Sequence, residues 1–235
     1  MIDIVHLQDP YLRKLIKTKK QTAIIPIGSI EQHGPHLPIS TDSDIVSEIA
    51  RRISKKTDFL MLPTINYGVS SEHFPFFNIS VTRTTLQRIL IELCISLWKN
   101  KVETIIILNG HHGNQNALHN IPKKIHLLSK GKVKVSVFSY WHFMKRDFDH
   151  AGFVETSLML AISKKVKMKK ALKGFTTNGL SKKQKLQANK LASKSFISVA
   201  RNGVWGDPRN ATAKEGSKIL SEIVQSFLKE SNLPY

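Results

Sequence analysis

The sequence predicts an α/β fold of three α/β/α layers, in which helices cover both faces of a mostly parallel sheet. Short apolar runs, typical of buried strands, alternate along the chain with longer segments of helical periodicity. Strands that alternate with helices form parallel βαβ units, and such units place helices on both faces of one sheet. The 235 residues, 41% of them apolar, are enough for one full-sized core. We therefore expect one domain that spans residues 1–235.

The predicted elements follow one another in a regular order. The strands are short apolar runs at 22–28, 59–63, 103–108 and 133–140. The helices are amphipathic segments at 42–55, 86–98 and 115–128. Thr41 and Asn114 are suited to cap the first and the last of these helices. Polar clusters follow Gly28 and Leu108, where two strands end, and the ligands of parallel sheets collect at that edge.

Composition and charge exclude several classes of protein. Lys and Arg outnumber Asp and Glu by 36 to 17, which gives a formal net charge of +19 and a cationic surface. Residues 156–206 contain twelve bases and no acid. We interpret this stretch as solvated surface or as a region that attracts an anionic substrate. It has no zinc-finger, RNA-recognition or helix-turn-helix signature, which disfavours nucleic acid as a partner.

The sequence also predicts the compartment. The one cysteine, Cys94, lies in an apolar helical pattern, so we expect a buried, inert thiol. No apolar run approaches the roughly 20 residues that span a bilayer, and the N-terminus has no signal-peptide pattern. We expect a cytoplasmic protein that does not bind membranes.

A dense group of ligand-type side chains follows the first predicted strand. The segment GSIEQHGPHLPISTD, residues 28–42, contains Glu31, His33, His36 and Asp42. Glu31 and His33 are two residues apart, so an extended backbone points both side chains the same way, and proline turns let Asp42 fold back toward them. Carboxylate oxygen and imidazole nitrogen suit Zn, Mn or Fe, and one aspartate can bridge two ions. The segment therefore predicts a metal site.

Two further clusters contribute to the predicted site. NGHHGN, residues 109–114, follows another strand end, and His111 is its ligand candidate. HAGFVETS, residues 150–157, places an imidazole and a carboxylate close together. His150 is suited to carry a proton to a leaving group. Glu155 is suited to three roles, as a metal ligand, as a general base or as a carboxylate at a helix start.

Two aromatic rings are candidates for substrate binding. Trp141 lies close in sequence to His150 and can stack on a flat ring, although core packing also explains it. His112, next to the ligand candidate His111, is the second. These two residues complete the predicted site.

A pair of divalent ions explains the set as a whole. Coordination lowers the pKa of water toward about 7, so two ions bridged by Asp42 can hold a hydroxide and polarise a carbonyl. Attack on an amide carbon follows, and His150 passes a proton to the departing nitrogen. The sequence thus predicts a metal-dependent amidohydrolase with two divalent ions per chain.

Four motifs in one order resemble the creatininase family. They are GSIEQHGPHLPISTD, NGHHGN, HAGFVETSLML and GVWGDPRNATAKEG, and they span nearly the whole chain. The resemblance implies a three-layer fold with a binuclear metal site, a homohexamer, and hydrolysis of a cyclic or linear amide. By position, it implies that Glu31, Asp42 and His111 bind one ion. It also implies that His33 and the shared Asp42 bind the second ion, and that His150 carries the proton.

One position departs from the family pattern. Creatininase has a glutamate two residues after the histidine of the NGH motif, where this chain has Gly113. The second ion must then depend on water, on the substrate or on Glu155, which counts against creatinine as the substrate. The ligand types present serve Zn, Mn and Fe alike.

The glycine form resembles other branches of the family. They include the formamidopyrimidine-nucleotide deformylase and the peptidase that trims mycofactocin precursors. We prefer the deformylase slightly, because a nucleotide substrate would explain the cationic surface. A basic nucleic-acid-binding protein and a catalytically silent oligomeric relative are the alternatives to a hydrolase.

Overall fold

The structure, a computed structural model, describes residues 2–230. It contains one five-stranded sheet in the order β1-β3-β2-β4-β5, in which all neighbouring strands are parallel. The strands are β1 (Ile2–Asp3), β2 (Thr22–Ile27), β3 (Leu60–Met61), β4 (Thr104–Asn109) and β5 (Lys134–Ser139). The helices are α1 (Asp9–Thr18), α2 (Thr41–Thr57), α3 (Arg83–Lys99), α4 (Gln115–Leu118), α5 (Ile121–Leu128), α6 (Phe153–Ile162), α7 (Lys182–Ala192) and α8 (Ala213–Glu230). The predicted fold class is confirmed.

Helices cover both sides of the sheet because its central strands are apolar on both faces. Ile24 of β2 and Ile106 of β4 face one layer, which consists of α2, α6 and α8. Ile25 and Ile105 face the other layer, which includes α1, α3 and α5. All four isoleucines are fully buried. This double burial explains why β2 and β4 could be recognised as continuous apolar runs.

Parallel pairing aligns the ends of the central strands. β2 and β4 pair from Thr22 opposite Thr104 to Ile27 opposite Asn109. Asn109 lies opposite Ser139 of β5, and its side-chain nitrogen donates to the Ser139 hydroxyl over 3.1 Å. The loops that follow these strands therefore start side by side, at the edge where ligands of parallel sheets bind.

Some predicted elements have different bounds. The segment 115–128 forms two helices, α4 and α5, because the chain turns at His119 and Asn120 and Pro122 lies in the first turn of the next helix. The sequence did not predict β1, because a strand of two residues has no hydrophobic periodicity. β1 pairs with β3, which is equally short.

The capping prediction for Thr41 was wrong, and the one for Asn114 is confirmed for its position but not for a hydrogen bond of its side chain. Helix α2 begins at Thr41 itself, and the Thr41 hydroxyl donates to the backbone oxygen of Pro38 over 2.6 Å. Asn114 precedes α4 but makes no capping hydrogen bond. Its side chain accepts from the backbone nitrogen of Val69 over 2.9 Å and donates to the backbone oxygen of Gly28 over 3.0 Å. Asn114 therefore stands at the start of α4, while its side chain joins two loops.

The predictions for Cys94 and for membrane contact can be compared with the structure. Cys94 lies in α3 with its side chain fully buried, and burial raises the pKa of its thiol to about 12. The predicted inert thiol agrees with this environment. Within residues 2–230, none of the helices has the length and apolar character needed to cross a bilayer.

The close packing of α6 against α8 depends on one glycine. Gly216 of α8 is buried, and a Cβ atom built on it would collide with the backbone oxygen of Ser157 in α6. The nearest side-chain carbon, Ala161 Cβ, would lie 3.0 Å away. The two helices can therefore approach this closely only because position 216 has no side chain.

We expect Gly216→Ala to lower the free energy of unfolding by about 1–3 kcal/mol, because the added methyl forces the helices apart. At an exposed helix position the same change raises that free energy by about 1 kcal/mol. The sign of the change therefore shows whether position 216 is tightly packed. Urea unfolding measures the difference. The control is Ser217→Ala at the next, exposed position of α8, which should be nearly neutral. A stabilised Gly216→Ala variant would contradict the packing described here.

Candidate metal centre

The loops at the carboxyl edge of the sheet bring together the ligand-type side chains found in the sequence. Glu31 and His33 follow β2, Asp42 lies in the first turn of α2, and His111 follows β4. Glu155 lies in the first turn of α6. None of these five ionisable residues is more than 4% exposed. Buried charged groups of this kind are paired with each other or bind metal ions.

One set of potential ligands consists of Glu31, Asp42 and His111. His111 Nε2 lies 3.2 Å from Glu31 Oε2, and His111 Nδ1 lies 3.0 Å from Asp42 Oδ2. Ligand atoms of all three residues lie within 4.8 Å of one another. The Ser29 hydroxyl donates to Glu31 Oε2 over 2.9 Å and so helps to orient that carboxylate. One imidazole and two carboxylates form a set that suits Zn, Mn or Fe.

A second set consists of His33, Asp42 and Glu155. His33 Nε2 lies 3.1 Å from Asp42 Oδ1 and 3.5 Å from Glu155 Oε2. His33 Nδ1 lies 3.1 Å from the backbone oxygen of Glu31, to which it donates, so Nε2 is the nitrogen left to face an ion. Asp42 belongs to both sets, with Oδ1 toward His33 and Oδ2 toward His111. Its position is that of a bridging ligand.

The donor set fits a pair of divalent cations. Among the described residues, three buried carboxylate oxygens have no aligned hydrogen-bond donor: Glu31 Oε1, Asp42 Oδ2 and Glu155 Oε1. An unsatisfied buried polar atom destabilises a fold by about 1–3 kcal/mol, and more when it is charged. Cations placed between these carboxylates would satisfy the free oxygens and offset the repulsion among them. The residues present therefore fit the metal pair that the sequence implied.

The two ligand imidazoles have strongly raised pKa values. Burial lowers the pKa of His33, but the charges of Asp42 and Glu155 outweigh burial and raise that pKa to about 10. Burial likewise lowers the pKa of His111, but Glu31 and Asp42 raise it to about 10. In return, burial raises the pKa of Asp42, but the neighbouring histidines hold it well below its usual range.

Glu155 behaves differently from Asp42. Burial holds the pKa of Glu155 well above its ordinary value, against the opposing charge of His33. Its Oε2 accepts from the backbone nitrogen of Ala151 over 2.7 Å, and Oε1 is one of the free oxygens. The side chain thus combines two of its predicted roles, since it stands at the start of α6 and also faces the second ligand set.

His150 lies at the entrance to the centre. Its side chain is 12% exposed, and its ring centroid lies 4.3 Å from that of His33. His150 Nδ1 lies 3.8 Å from Glu31 Oε1, and with Glu31 and His33 it forms a third group of atoms within 4.8 Å of one another. Burial, and then the charge of His33, lower the pKa of His150 well below its ordinary value. The ring is therefore neutral at pH 7.

Gly113 leaves no room for a glutamate. A Cβ atom at this position would collide with the backbone oxygen of Val69, and it would lie 2.5 Å from both Glu72 Oε1 and His111 Nε2. The space beside His111 is occupied by Glu72, whose Oε1 lies 3.8 Å from His111 Nε2. A side chain at position 113 is thus incompatible with this arrangement, whereas Glu155 approaches from the other side of the centre.

Three other residues of the predicted clusters lie outside the ligand sets. His36 Nε2 lies 2.9 Å from the Thr156 hydroxyl, and burial lowers the pKa of His36 to about 4. The rings of His112 and Trp141 stack with centroids 6.1 Å apart and planes inclined by 29°. Phe148 extends this aromatic surface, with its centroid 4.6 Å from that of Trp141.

Three residues close to the centre were missed by sequence reasoning. Gln32 lies between two histidines beside the ligand sets, since Gln32 Nε2 is 3.0 Å from a nitrogen of both His73 and His150. His73 Nε2 lies 3.1 Å from Glu31 Oε1. Glu72 is the third. The adjacent Glu72 and His73 were the available signal, but they follow no predicted strand.

Comparison with known proteins identifies the family. The sequence profile of the creatininase family, creatinine amidohydrolase, matches residues 6–230. A mycofactocin precursor peptide peptidase of Mycobacterium ulcerans (strain Agy99) is 32% identical over 213 residues, which are 86% of this chain and 80% of that protein. The 2-amino-5-formylamino-6-ribosylaminopyrimidin-4(3H)-one 5'-monophosphate deformylase of Methanothermobacter marburgensis is 32% identical over 98 residues, which are 40% of this chain and 42% of that protein.

A solved structure has the same fold. The crystal structure of creatinine amidohydrolase superposes with a TM-score of 0.83 at 21% identity and covers 100% of this chain and 99% of that one. Creatininase has also been solved in a Zn–Zn and a Mn form. Because the family profile matches nearly the whole chain and the fold agrees, the chain belongs to the creatininase family, whose members are metal-dependent amidohydrolases that act on carbon–nitrogen bonds.

Proposed function

We propose that this chain hydrolyses a non-peptide amide at a centre of two divalent ions, which are Zn, Mn or Fe. The observation that carries the proposal is the convergence of three buried carboxylates, from Glu31, Asp42 and Glu155, on the imidazoles of His33 and His111. Apolar residues would stabilise the fold better than such a buried charged group, so stability does not explain its presence. Its chemistry is that of a metal centre.

Each ion would have two ligands of its own, and Asp42 would be a ligand of both ions. Glu31, Asp42 and His111 would hold the first ion. His33, Asp42 and Glu155 would hold the second. Glu155 thereby takes the role that the family glutamate has at the position of Gly113 in this chain.

His150 is the proposed proton carrier. Divalent ions, when bound, supply a water of lowered pKa and polarise the substrate carbonyl. The neutral His150 ring faces the centre through Nδ1, which can accept a proton and then deliver it to the departing nitrogen when Nε2 holds the ring proton and donates it to the backbone oxygen of Gln32. Its Nε2 lies 3.1 Å from the backbone oxygen of Gln32 and 3.0 Å from its side-chain nitrogen. Gln32 thus offers a partner to Nε2 in either protonation state.

The favoured substrate is a formylated pyrimidine nucleotide. Residues 156–206 contain twelve bases and no acid, and this positive charge would attract its phosphate. The aromatic surface of His112 and Trp141 would stack on its flat ring. Assembly into a homohexamer and a cytoplasmic location remain predictions from the sequence.

A peptide amide is the second candidate. It is favoured by the match to the mycofactocin precursor peptidase, which extends over 213 residues, whereas the match to the deformylase extends over 98. Product analysis separates the two candidates, because deformylation releases formate and peptide cleavage does not.

The first test is elemental analysis of protein purified without chelators. We expect about two ions per chain, and we expect Asp42→Ala to remove both together with amide hydrolysis, because Asp42 bridges the two sets. Hydrolysis is assayed with a formamidopyrimidine nucleotide, with creatinine and with short peptides.

The control for this test is Asp44→Asn, two residues further along α2. Asp44 accepts from the Ser40 hydroxyl over 2.9 Å and belongs to neither ligand set. It should therefore keep both ions. An Asp42→Ala protein that retained both ions would remove Asp42 as the bridge, and an unaltered chain without metal would refute the metal centre.

Glu155→Gln tests the second set by itself. We expect the metal content to fall from about two ions to about one, because an amide oxygen is a weak ligand and the first set is untouched. Circular dichroism checks that the α6 start survives, since Gln can still accept from the backbone nitrogen of Ala151. Two ions in the folded variant would show that Glu155 is not a ligand.

Metal binding should strengthen as the pH rises. His33 and His111, with pKa values of about 10, hold protons at pH 7 that must leave before their nitrogens can bind an ion. Below these pKa values each pH unit raises the unprotonated fraction of each ring about tenfold, so the apparent Kd should fall by up to about tenfold per released proton. Calorimetry in buffers of different ionisation enthalpy counts the protons. A Kd that stays constant between about pH 6 and pH 8 would contradict this expectation.

A further inference from the structure

His73 contacts the proposed ligand Glu31 from outside the two ligand sets. It ends the 3-10 helix Ser71–His73 and is 3% exposed. His73 Nε2 lies 3.1 Å from Glu31 Oε1, while the other oxygen of Glu31 accepts from the Ser29 hydroxyl. The two oxygens of Glu31 therefore lie next to two different groups that are not ligands, His73 and Ser29.

Gln32 determines which nitrogen of His73 carries the proton. The side-chain oxygen of Gln32 accepts from the backbone nitrogen of Gly34 over 2.9 Å, so the side-chain nitrogen faces the other way. That nitrogen lies 3.0 Å from His73 Nδ1. Because an amide nitrogen can only donate, Nδ1 accepts and carries no proton. The ring proton of His73 is therefore on Nε2, the nitrogen that faces Glu31.

The surrounding chain packs closely against both side chains. Phe196 stacks on His73 with ring centroids 4.6 Å apart and planes inclined by 29°. Gly203 has a φ of +75° and lies so close to Gln32 that a Cβ there would collide with the amide oxygen. Phe196 thus packs on one face of the imidazole, and the missing side chain of Gly203 leaves the space that the Gln32 amide occupies.

We propose that His73 is a positioning residue for Glu31 and that Gln32 holds His73 in the tautomer that this role requires. His73 Nε2 is within hydrogen-bonding distance of Glu31 Oε1, which has no other donor among the described residues, and in the proposed role the carboxylate turns to accept from it. A donor behind a ligating carboxylate fixes the orientation of that ligand and so strengthens ion binding. The inference rests on the proposed function, in which Glu31 is a ligand.

The first test measures the Kd of the full chain for Zn²⁺ by competition with a chelating dye. His73→Phe keeps a ring against Phe196 but loses the donor, and we expect its Kd to rise by about 10–100-fold. His73→Gln can place an amide N–H near the former Nε2, and we expect it to recover most of the affinity. The control is His119→Phe at an exposed position, which should leave the Kd unchanged.

Two outcomes of this test would overturn the inference. One is an unchanged Kd in a folded His73→Phe protein. The other is an equal loss in the Phe and Gln variants, which would mean that the ring acts by packing and not through its donor. Failure of the proposed function is distinct from both, because the unaltered chain would then bind no zinc.

The second test does not depend on how the His73 variants fold. The imidazole nitrogen spectrum of the unaltered full chain should show His73 with a protonated Nε2 and an unprotonated Nδ1. In Gln32→Glu, which has the same shape but presents an oxygen to Nδ1, that nitrogen should become protonated. A proton on Nδ1 in the unaltered chain would overturn the assignment.

Discussion

The structure depends on holding the carboxylates of Glu31, Asp42 and Glu155 close together in a buried place. Like charges repel strongly where water is excluded, and burial favours the protonated form of each acid. The negative charges raise the pKa values of His33 and His111, while burial, and then the charge of Asp42, raise the pKa of Glu155. All three shifts retain protons in the centre. Divalent cations can take the place of those protons, so the buried carboxylates provide the negative charge that two metal ions require.

The glycines of the motifs follow from the need to bring Asp42 against two strand ends. A Cβ at Gly28 would lie 2.5 Å from the backbone of Ser43 in the first turn of α2. A Cβ at Gly110 would lie 2.8 Å from the backbone oxygen of Asp42. Helix α2 can therefore rest directly on the loops after β2 and β4 only because both positions lack side chains. This contact sets the distances from Asp42 to both of its histidines.

The sequence predicted the parts of the molecule whose signals are local. β2 and β4 have long apolar runs, and the ligand-type residues of the centre stand in dense motifs directly after predicted strands or at a helix start. The roles of Gln32 and Asn114 could not be predicted, because their partners lie far along the chain. Gln32 bonds to His73, 41 residues away, and Asn114 bonds to Gly28, 86 residues away. Only tertiary packing creates such contacts, so periodicity and motif spacing carry no trace of them.

The distribution of charge connects the centre with the outer surface. Five of the seventeen acidic residues lie in or beside the centre, namely Glu31, Asp42, Glu72, Asp149 and Glu155. Among the described residues, none of the twelve bases of residues 156–206 forms an ion pair within 4.0 Å.

This basic segment also lies directly against the centre. Phe196 contacts the ring of His150 at 4.7 Å between centroids, and Trp205 exchanges backbone hydrogen bonds with His150. Two aromatic residues of this segment thus contact the proposed proton carrier. Without cations the buried carboxylates would repel an anion, and two divalent ions would offset much of that negative charge. The surplus of bases and the cluster of acids thus lie in adjoining parts of the molecule, which agrees with the anionic substrate proposed above.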